Sequence, residues 1–306
     1  MRRDLTVEPR ITSRCGYAAI VGAPNAGKST LLNRLAGAKL SIVTPKAQTT
    51  RFRVLGIVQE GAAQILLVDT PGIFAPRRRL DRLMVDAAWS GAADADIVLL
   101  LVDARAGLTE GVRAIAAGLA EAAKKRRCWL VLNKVDLVAA PQLLPLTAAL
   151  TDVLACEQVF MISAATGDGV PALRAALADA MPAGPHLYPD DDLTDLPDRL
   201  LAAEIVREQI FLQTSDEIPY AVTVETESFR TLAGGAVRIE AVIYVARAGQ
   251  KAILIGEQGR RIRAIGSRAR AELIALWEKP VHLFLHVKER PGWDEETARL
   301  RALGLE

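Results

Sequence analysis

From residue 17 to residue 180 short apolar runs alternate with segments whose apolar positions recur every three or four residues. The runs at 17–22, 52–59, 64–69, 97–102, 129–133 and 158–162 predict strands; the periodic segments at 28–37, 80–90, 110–124, 142–155 and 170–180 predict helices. Such alternation predicts an α/β fold, a mostly parallel sheet wound through crossover helices with helices on both faces. The stretch from Met181 to Asp192 then breaks all periodicity with proline, glycine and an acid run. Beyond it the order changes to a helix at 197–212, strands at 219–229 and 236–246, helices around a Gly-x-x-Gly, and a strand at 281–287. This predicts a smaller α+β unit. The expected organisation is an N-terminal extension (1–14), a first domain (15–181), a linker (182–196), a second domain (197–290) and a helical tail (291–306) in which Trp293 packs or caps.

A chain of 306 residues has room for two cores, and 51% apolar content argues against extensive disorder. The net charge of +2 is too small for a global nucleic-acid binder, so any basic surface must be local. Cys15, Cys128 and Cys156 are odd in number and lack metal-ligand spacing, as expected of reduced thiols in the cytoplasm. No export signal and no transmembrane segment is visible. The run Lys124-Lys125-Arg126-Arg127 reads as a solvated helix end, favoured by the helix dipole.

Chemistry enters at Gly22-Ala23-Pro24-Asn25-Ala26-Gly27-Lys28-Ser29, which matches G-x-x-x-x-G-K-[ST] at every fixed position and sits between a strand and the helix that Ser29-Thr30-Leu31 opens. Glycines let the backbone curl around phosphates, Lys28 reaches the β and γ phosphates, and the Ser29 hydroxyl suits Mg²⁺. Asp69-Thr70-Pro71-Gly72 follows a buried strand, placing a carboxylate to hold Mg²⁺ through water and the Gly72 N–H to sense a γ-phosphate. Asn133-Lys134-Val135-Asp136 caps another strand. A carboxylate there accepts from the ring N1–H and 2-amino group of guanine, a pair adenine lacks, so Asp136 selects GTP or GDP, with Lys134 along the base and Asn133 tying loops together. Ser163-Ala164-Ala165 is placed to offer a backbone N–H to the guanine carbonyl. Gln48-Thr49-Thr50-Arg51 supplies a hydroxyl over the metal. Thr50 is the first choice, Thr49 the competing one.

These five elements, in this order, resemble the translation-factor-related GTPases. Lys46-Ala47-Gln48-Thr49-Thr50-Arg51, Asp69-Thr70-Pro71-Gly72 and the downstream Gly-x-x-Gly unit narrow the resemblance to the Era family of bacterial ribosome-assembly GTPases, over residues 15 to 303. Further matches are Arg199 to Glu208, Ile218-Pro219-Tyr220, Gly249-Gln250-Lys251 and Pro280-Val281-His282-Leu283. The resemblance implies a P-loop GTPase domain followed by a type II KH RNA-binding domain, hydrolysis of GTP to GDP, and as partners the 3′ end of 16S ribosomal RNA and the 30S subunit precursor. It also implies peripheral contact with the inner face of the cell membrane, for which the chain offers basic patches but no lipidation motif. A competing reading is an RNA chaperone or assembly scaffold in which nucleotide only supports folding.

Ile73 follows Gly72 where Ras-like GTPases carry the glutamine that orients attacking water, so hydrolysis must draw on other groups: Lys28, Thr50, Gly72 and Asn25. In related GTPases an asparagine at the Asn25 position helps hold K⁺ beside the phosphates, which implies K⁺ as a second cation. For the second domain the resemblance makes Gly256-Glu257-Gln258-Gly259 a clamp on single-stranded RNA, with Lys251, Arg260, Arg261 and Arg263 near the phosphates and Ile253, Ile255, Ile262 and Ile265 supporting the base groove. Glu257 departs from the neutral or basic residues common at that position.

Overall fold

The computed structural model describes residues 13–122, 127–215, 217–302 and 304–305. The N-terminal extension before residue 13 and the basic residues 124–126 lie outside the described residues.

Six strands, β1 (Arg14–Val21), β2 (Val54–Glu60), β3 (Ala63–Asp69), β4 (Ile97–Asp103), β5 (Arg127–Asn133) and β6 (Gln158–Met161), form one sheet in the order β2-β3-β1-β4-β5-β6. Only the β2–β3 hairpin is antiparallel. Helices α1 (Lys28–Ala36), α2 (Arg79–Asp94), α3 (Glu110–Ala122), α4 (Ala140–Thr151) and α5 (Val170–Ala180) cover both faces. Alternate residues of a strand serve opposite cores: Ala18 and Ile20 pack with Leu31, Leu35 and Leu173, whereas Ala19 and Val21 pack with Ala88, Ile115 and Leu119. Because β1, β3, β4 and β5 are parallel, their C-terminal ends at Val21, Asp69, Asp103 and Asn133 open onto one edge, where ligands of such sheets bind.

The second half follows from α6 (Asp198–Gln213). Strands β7 (Val222–Thr231), β8 (Val237–Val245) and β9 (Val281–Glu289) form a sheet in that order, β7 antiparallel and β9 parallel to β8. Helices α7 (Ala248–Ile255) and α8 (Arg260–Trp277) flank the Gly-x-x-Gly, and α9 (Thr297–Ala302) lies in the tail. The expected strand from 219 starts later, because Pro219 has no N–H for a ladder and residues Ile218–Ala221 form a 3₁₀ turn instead.

The expected linker is held along its length. The buried amide of Gln64 accepts from the N–H groups of Leu187 (2.8 Å) and Tyr188 (3.1 Å), and Ile57 N–H donates to the Leu193 carbonyl at 2.8 Å. The tail is tied to the first half as well: Trp293, Leu300 and Leu305 pack against Leu80 and Met84 of α2.

Candidate functional site

Gly22 to Ser29 bend between β1 and α1 as a phosphate loop requires. Gly27 has φ 98°, and a Cβ there would lie 2.3 Å from the Asn133 amide nitrogen, so only glycine fits. Gly22 is equally confined, since a Cβ would meet the Leu101 carbonyl oxygen at 2.4 Å. Lys28 is buried; its ammonium donates to the carbonyls of Gly22 (3.2 Å) and Ala23 (3.0 Å), holding the loop in the curl a polyphosphate would occupy. Burial pushes its pKa down to about 8, and the charge of Asp69 opposes that shift.

Asp69, at the end of β3, is fully buried, and three hydroxyls converge on its Oδ2: Ser29 at 2.7 Å, Ser41 at 3.0 Å and Thr50 at 3.2 Å. Ser29 and Thr50 are themselves 2.7 Å apart. The second carboxylate oxygen, Oδ1, is buried and has no hydrogen-bond partner among the described residues. Burial raises the pKa of this carboxyl, against the pull of Lys28 and the hydroxyls. An orphaned carboxylate oxygen among hydroxyls is a donor set suited to a hard divalent cation. Thr49 lies elsewhere: its hydroxyl pairs with Thr44 at 2.7 Å and with the Lys46 carbonyl at 2.8 Å. Geometry favours Thr50. Gly72 closes the far wall, where a Cβ would meet Pro24 at 3.0 Å. Thr70 is buried and donates to the Ile20 carbonyl, while Pro71 is buried beside it.

The base-recognition loops are joined to the phosphate loop by one side chain. Asn133 donates to the Ala26 carbonyl at 2.8 Å and accepts from Ala164 N–H at 2.9 Å. Lys134 has φ 64°, and its ammonium reaches Asp103 (2.6 Å) and the Asn25 carbonyl (2.7 Å). Asp136 is exposed, free to accept from a base, and Val135 N–H bonds the Ile162 carbonyl at 3.2 Å. Asn25 is exposed with φ 64°. Pro24, Asn25, Lys28, Ser29, Thr30, Gln48 and Thr50 are among the residues lining one cleft.

Loop 39–51 is clasped by α6. Glu208 accepts from Val43 N–H (2.8 Å) and from Lys39 (2.5 Å), Arg207 donates to the Thr49 carbonyl, and Lys46 donates to the carbonyls of Phe211 and Thr214. Arg51 is buried, donates to the Val222 carbonyl at 2.6 Å and lies 5.6 Å over the Trp293 ring. Ile42 sits in the core of the second half.

In the Gly-x-x-Gly, Gly256 and Gly259 have φ 68° and 74°, and a Cβ on Gly256 would meet Arg261 at 2.8 Å. Gly259 caps α8, whose first turn holds no acid, and the Arg260 N–H at its start bonds the Glu257 carbonyl. Gln258 has φ 50°, and Glu257 is exposed, 3.8 Å from Arg260. Arg260, Arg261 and Arg263 are all exposed beside the clamp, and Arg261 also donates to the Ile253 carbonyl of α7 at 2.7 Å. Lys251 is half-buried on α7. Ile265 is wholly buried, whereas Ile262 lines a groove between α8 and β9 with Arg263, Arg270, Phe284 and His286.

The 50S ribosome-binding GTPase family model matches residues 17–134, and the KH domain model matches 217–294. GTPase Era of Afipia carboxidovorans is 54% identical over 306 residues, covering all of this chain and 99% of that protein. GTPase Era of Dinoroseobacter shibae is 52% identical over 96% of each. The chain belongs to the Era family of GTPases. Among solved structures, Era in complex with MgGDPNP and nucleotides 1506-1542 of 16S ribosomal RNA matches at 38% identity and a TM-score of 0.91, over 96% of this chain and 99% of that one. The Aquifex aeolicus Era Y63A variant bound to GDP.AlF4- matches at 38% identity and 0.90, over 95% and 99%.

Several residues of this Era-family site escaped the sequence. Ser41 joins the hydroxyls on Asp69, Asp103 steadies Lys134, and Arg34 donates to the carbonyls of Ala164 and Ala165. Of these only Asp103, an acid closing an apolar strand run, left a signal. In the groove the available signal was Phe284, an aromatic on the polar face of the alternating His282 to Val287. Ile73 is buried and points into the sheet's core, so no hydrogen-bonding side chain stands directly after Gly72.

Proposed function

We propose that this chain binds GTP with Mg²⁺ in the cytoplasm, hydrolyses it, and uses the hydrolysis to time the grip of its KH half on the 3′ end of 16S ribosomal RNA during 30S subunit assembly. The observation that carries this reading is the clasp. The loop whose Thr50 sits over Asp69 is bonded to α6 through Val43, Lys46 and Thr49. A γ-phosphate that draws Thr50 inward must tighten or break those bonds, so each nucleotide state favours a different placement of α6.

Ser29 and Thr50 would hold Mg²⁺ directly and Asp69 through water, and the cation would neutralise charge developing on the transferred phosphate. Around it, Lys28 supplies a buried positive charge, Gly72 N–H senses the γ-phosphate, and Asp136 with Ala164 and Ala165 reads the base. The exposed Asn25 amide lines the cleft and makes no hydrogen bond among the described residues, which suits it to K⁺. Hydrolysis is expected to run about tenfold faster in K⁺ than in Na⁺, and Asn25→Ala should erase the difference. Equal rates in the two salts would remove K⁺ from the scheme.

The decisive experiment measures binding of a 16S 3′-terminal oligonucleotide to the full chain with GDP and with a non-hydrolysable GTP analogue. Affinity is expected to be at least about tenfold higher with the analogue. Equal affinities would instead point to an RNA chaperone in which nucleotide only supports folding.

A further inference from the structure

Hydrolysis needs a group that orients water opposite the bond to be broken, and Ile73 cannot be it. Gly72 and the loop residues Ile42, Val43, Thr44, Gln48, Thr49 and Thr50 line the cleft beside the phosphate loop. Hydrogen-bonding side chains of that loop are largely engaged: Thr50 bonds Asp69, while Thr44 and Thr49 bond each other. Gln48 is different. It lines the cleft, its carboxamide makes no hydrogen bond among the described residues, and its φ of 57° is a left-handed conformation that is strained for a non-glycine residue. It also lines a second cleft with Phe74, Arg78 and Tyr220, so it stands in the wall between the nucleotide and an outer solvent-filled space. Its flanking residues are fixed from outside the GTPase half, Lys46 by the end of α6 and Thr49 by Arg207.

We propose that Gln48 orients the attacking water, its carboxamide oxygen accepting a hydrogen bond from the water that attacks the γ-phosphorus. The proposal rests on the GTP-hydrolysing reading above. The water oxygen bonds to phosphorus as the bond from phosphorus to the β–γ bridging oxygen breaks. GDP leaves with that electron pair, and the water's proton ends on the released phosphate. The amide stays neutral throughout. Because the strained backbone at Gln48 is held between contacts to α6, the KH half sets the aim of this side chain.

The test uses the full chain and its Gln48→Ala, Gln48→Gly and Gln48→Glu variants. Single-turnover GTP hydrolysis and affinity for a non-hydrolysable GTP analogue are measured for each. Alanine and glycine should both slow hydrolysis about 10²-fold while analogue affinity stays within about twofold, because the lost contact forms only around the reacting water. Glutamate should restore part of the rate with a new dependence on pH, since its ionised form accepts from the same water. Glycine that keeps the parent rate would make Gln48 a backbone device only and overturn the proposal. So would an alanine variant as fast as the parent, or one whose rate and analogue affinity fall together. A parent chain that hydrolyses no GTP would sink the broader reading and this one with it; an active parent with unaffected variants sinks this one alone.

Discussion

Lys28→Ala is expected to lose triphosphate binding by about 10²- to 10⁴-fold and hydrolysis with it, measured by titration with a fluorescent GTP analogue and by phosphate release. The magnitude follows from two charge-assisted hydrogen bonds to phosphate, each worth about 1.5–3 kcal/mol. The structure adds a signature of pH. Without ligand the buried ammonium has a pKa pushed down to about 8 by desolvation, so near that pH a fraction of the sites is uncharged. A polyphosphate favours the charged form and raises that value, so binding near pH 8 must take up protons, and affinity must fall as pH rises through this range. Calorimetry in buffers of different ionisation enthalpy should detect up to about one proton per site in the parent and none from this group in the variant. Binding of GTP by Lys28→Ala at parental affinity would refute the role. On the stability side the sign is reversed. A lysine depressed on folding is less protonated than in the unfolded chain between pH 8 and 10.5, so its contribution to stability grows with pH there.

Asp136→Asn should weaken GTP and GDP about 10²- to 10⁴-fold and transfer preference to xanthine nucleotides. Two hydrogen bonds from guanine to a carboxylate are lost, and the amide's own donors then face the donors of the base. Xanthine carries a carbonyl where guanine carries the amino group, and an amide donor meets it. Asp136 is exposed at the mouth of the site, so the exchange leaves the core undisturbed and a folding defect is not expected. Competition between GTP and xanthosine triphosphate for one fluorescent ligand measures the change directly, and an unaltered preference for guanine would remove Asp136 from base selection.

Much of the nucleotide site was legible because its chemistry is local. A phosphate loop needs its glycines, lysine and serine within eight positions, and Asp69 and Asn133 announce themselves as polar residues closing apolar runs. The strand and helix pattern was legible for the same reason, since apolar periodicity reports the faces of each element. Long-range partners left no such trace. Glu208 and Val43 are 165 positions apart, and nothing near either residue marks the other. Arg51 read as the end of a loop motif and proved to be a buried tie to Val222 and Trp293. Arg261 stood out in the sequence by its nearness to the clamp, whereas its bond to the Ile253 carbonyl of α7 had no mark there. The groove beside the clamp was half visible, because α8 lies in the motif's neighbourhood and β9 does not.

The placement of Ile42 bears on how such proteins are assembled from modules over time. It belongs to the nucleotide-sensing loop by sequence and to the RNA-binding half by packing, just as Leu80 and Met84 of α2 are covered by Trp293 and Leu300 of the tail. A GTPase half transplanted onto a foreign RNA-binding unit would present these side chains to water as a sticky apolar patch. The two halves therefore fit as a matched pair, and a graft would have to carry the loop, α6 and the tail together.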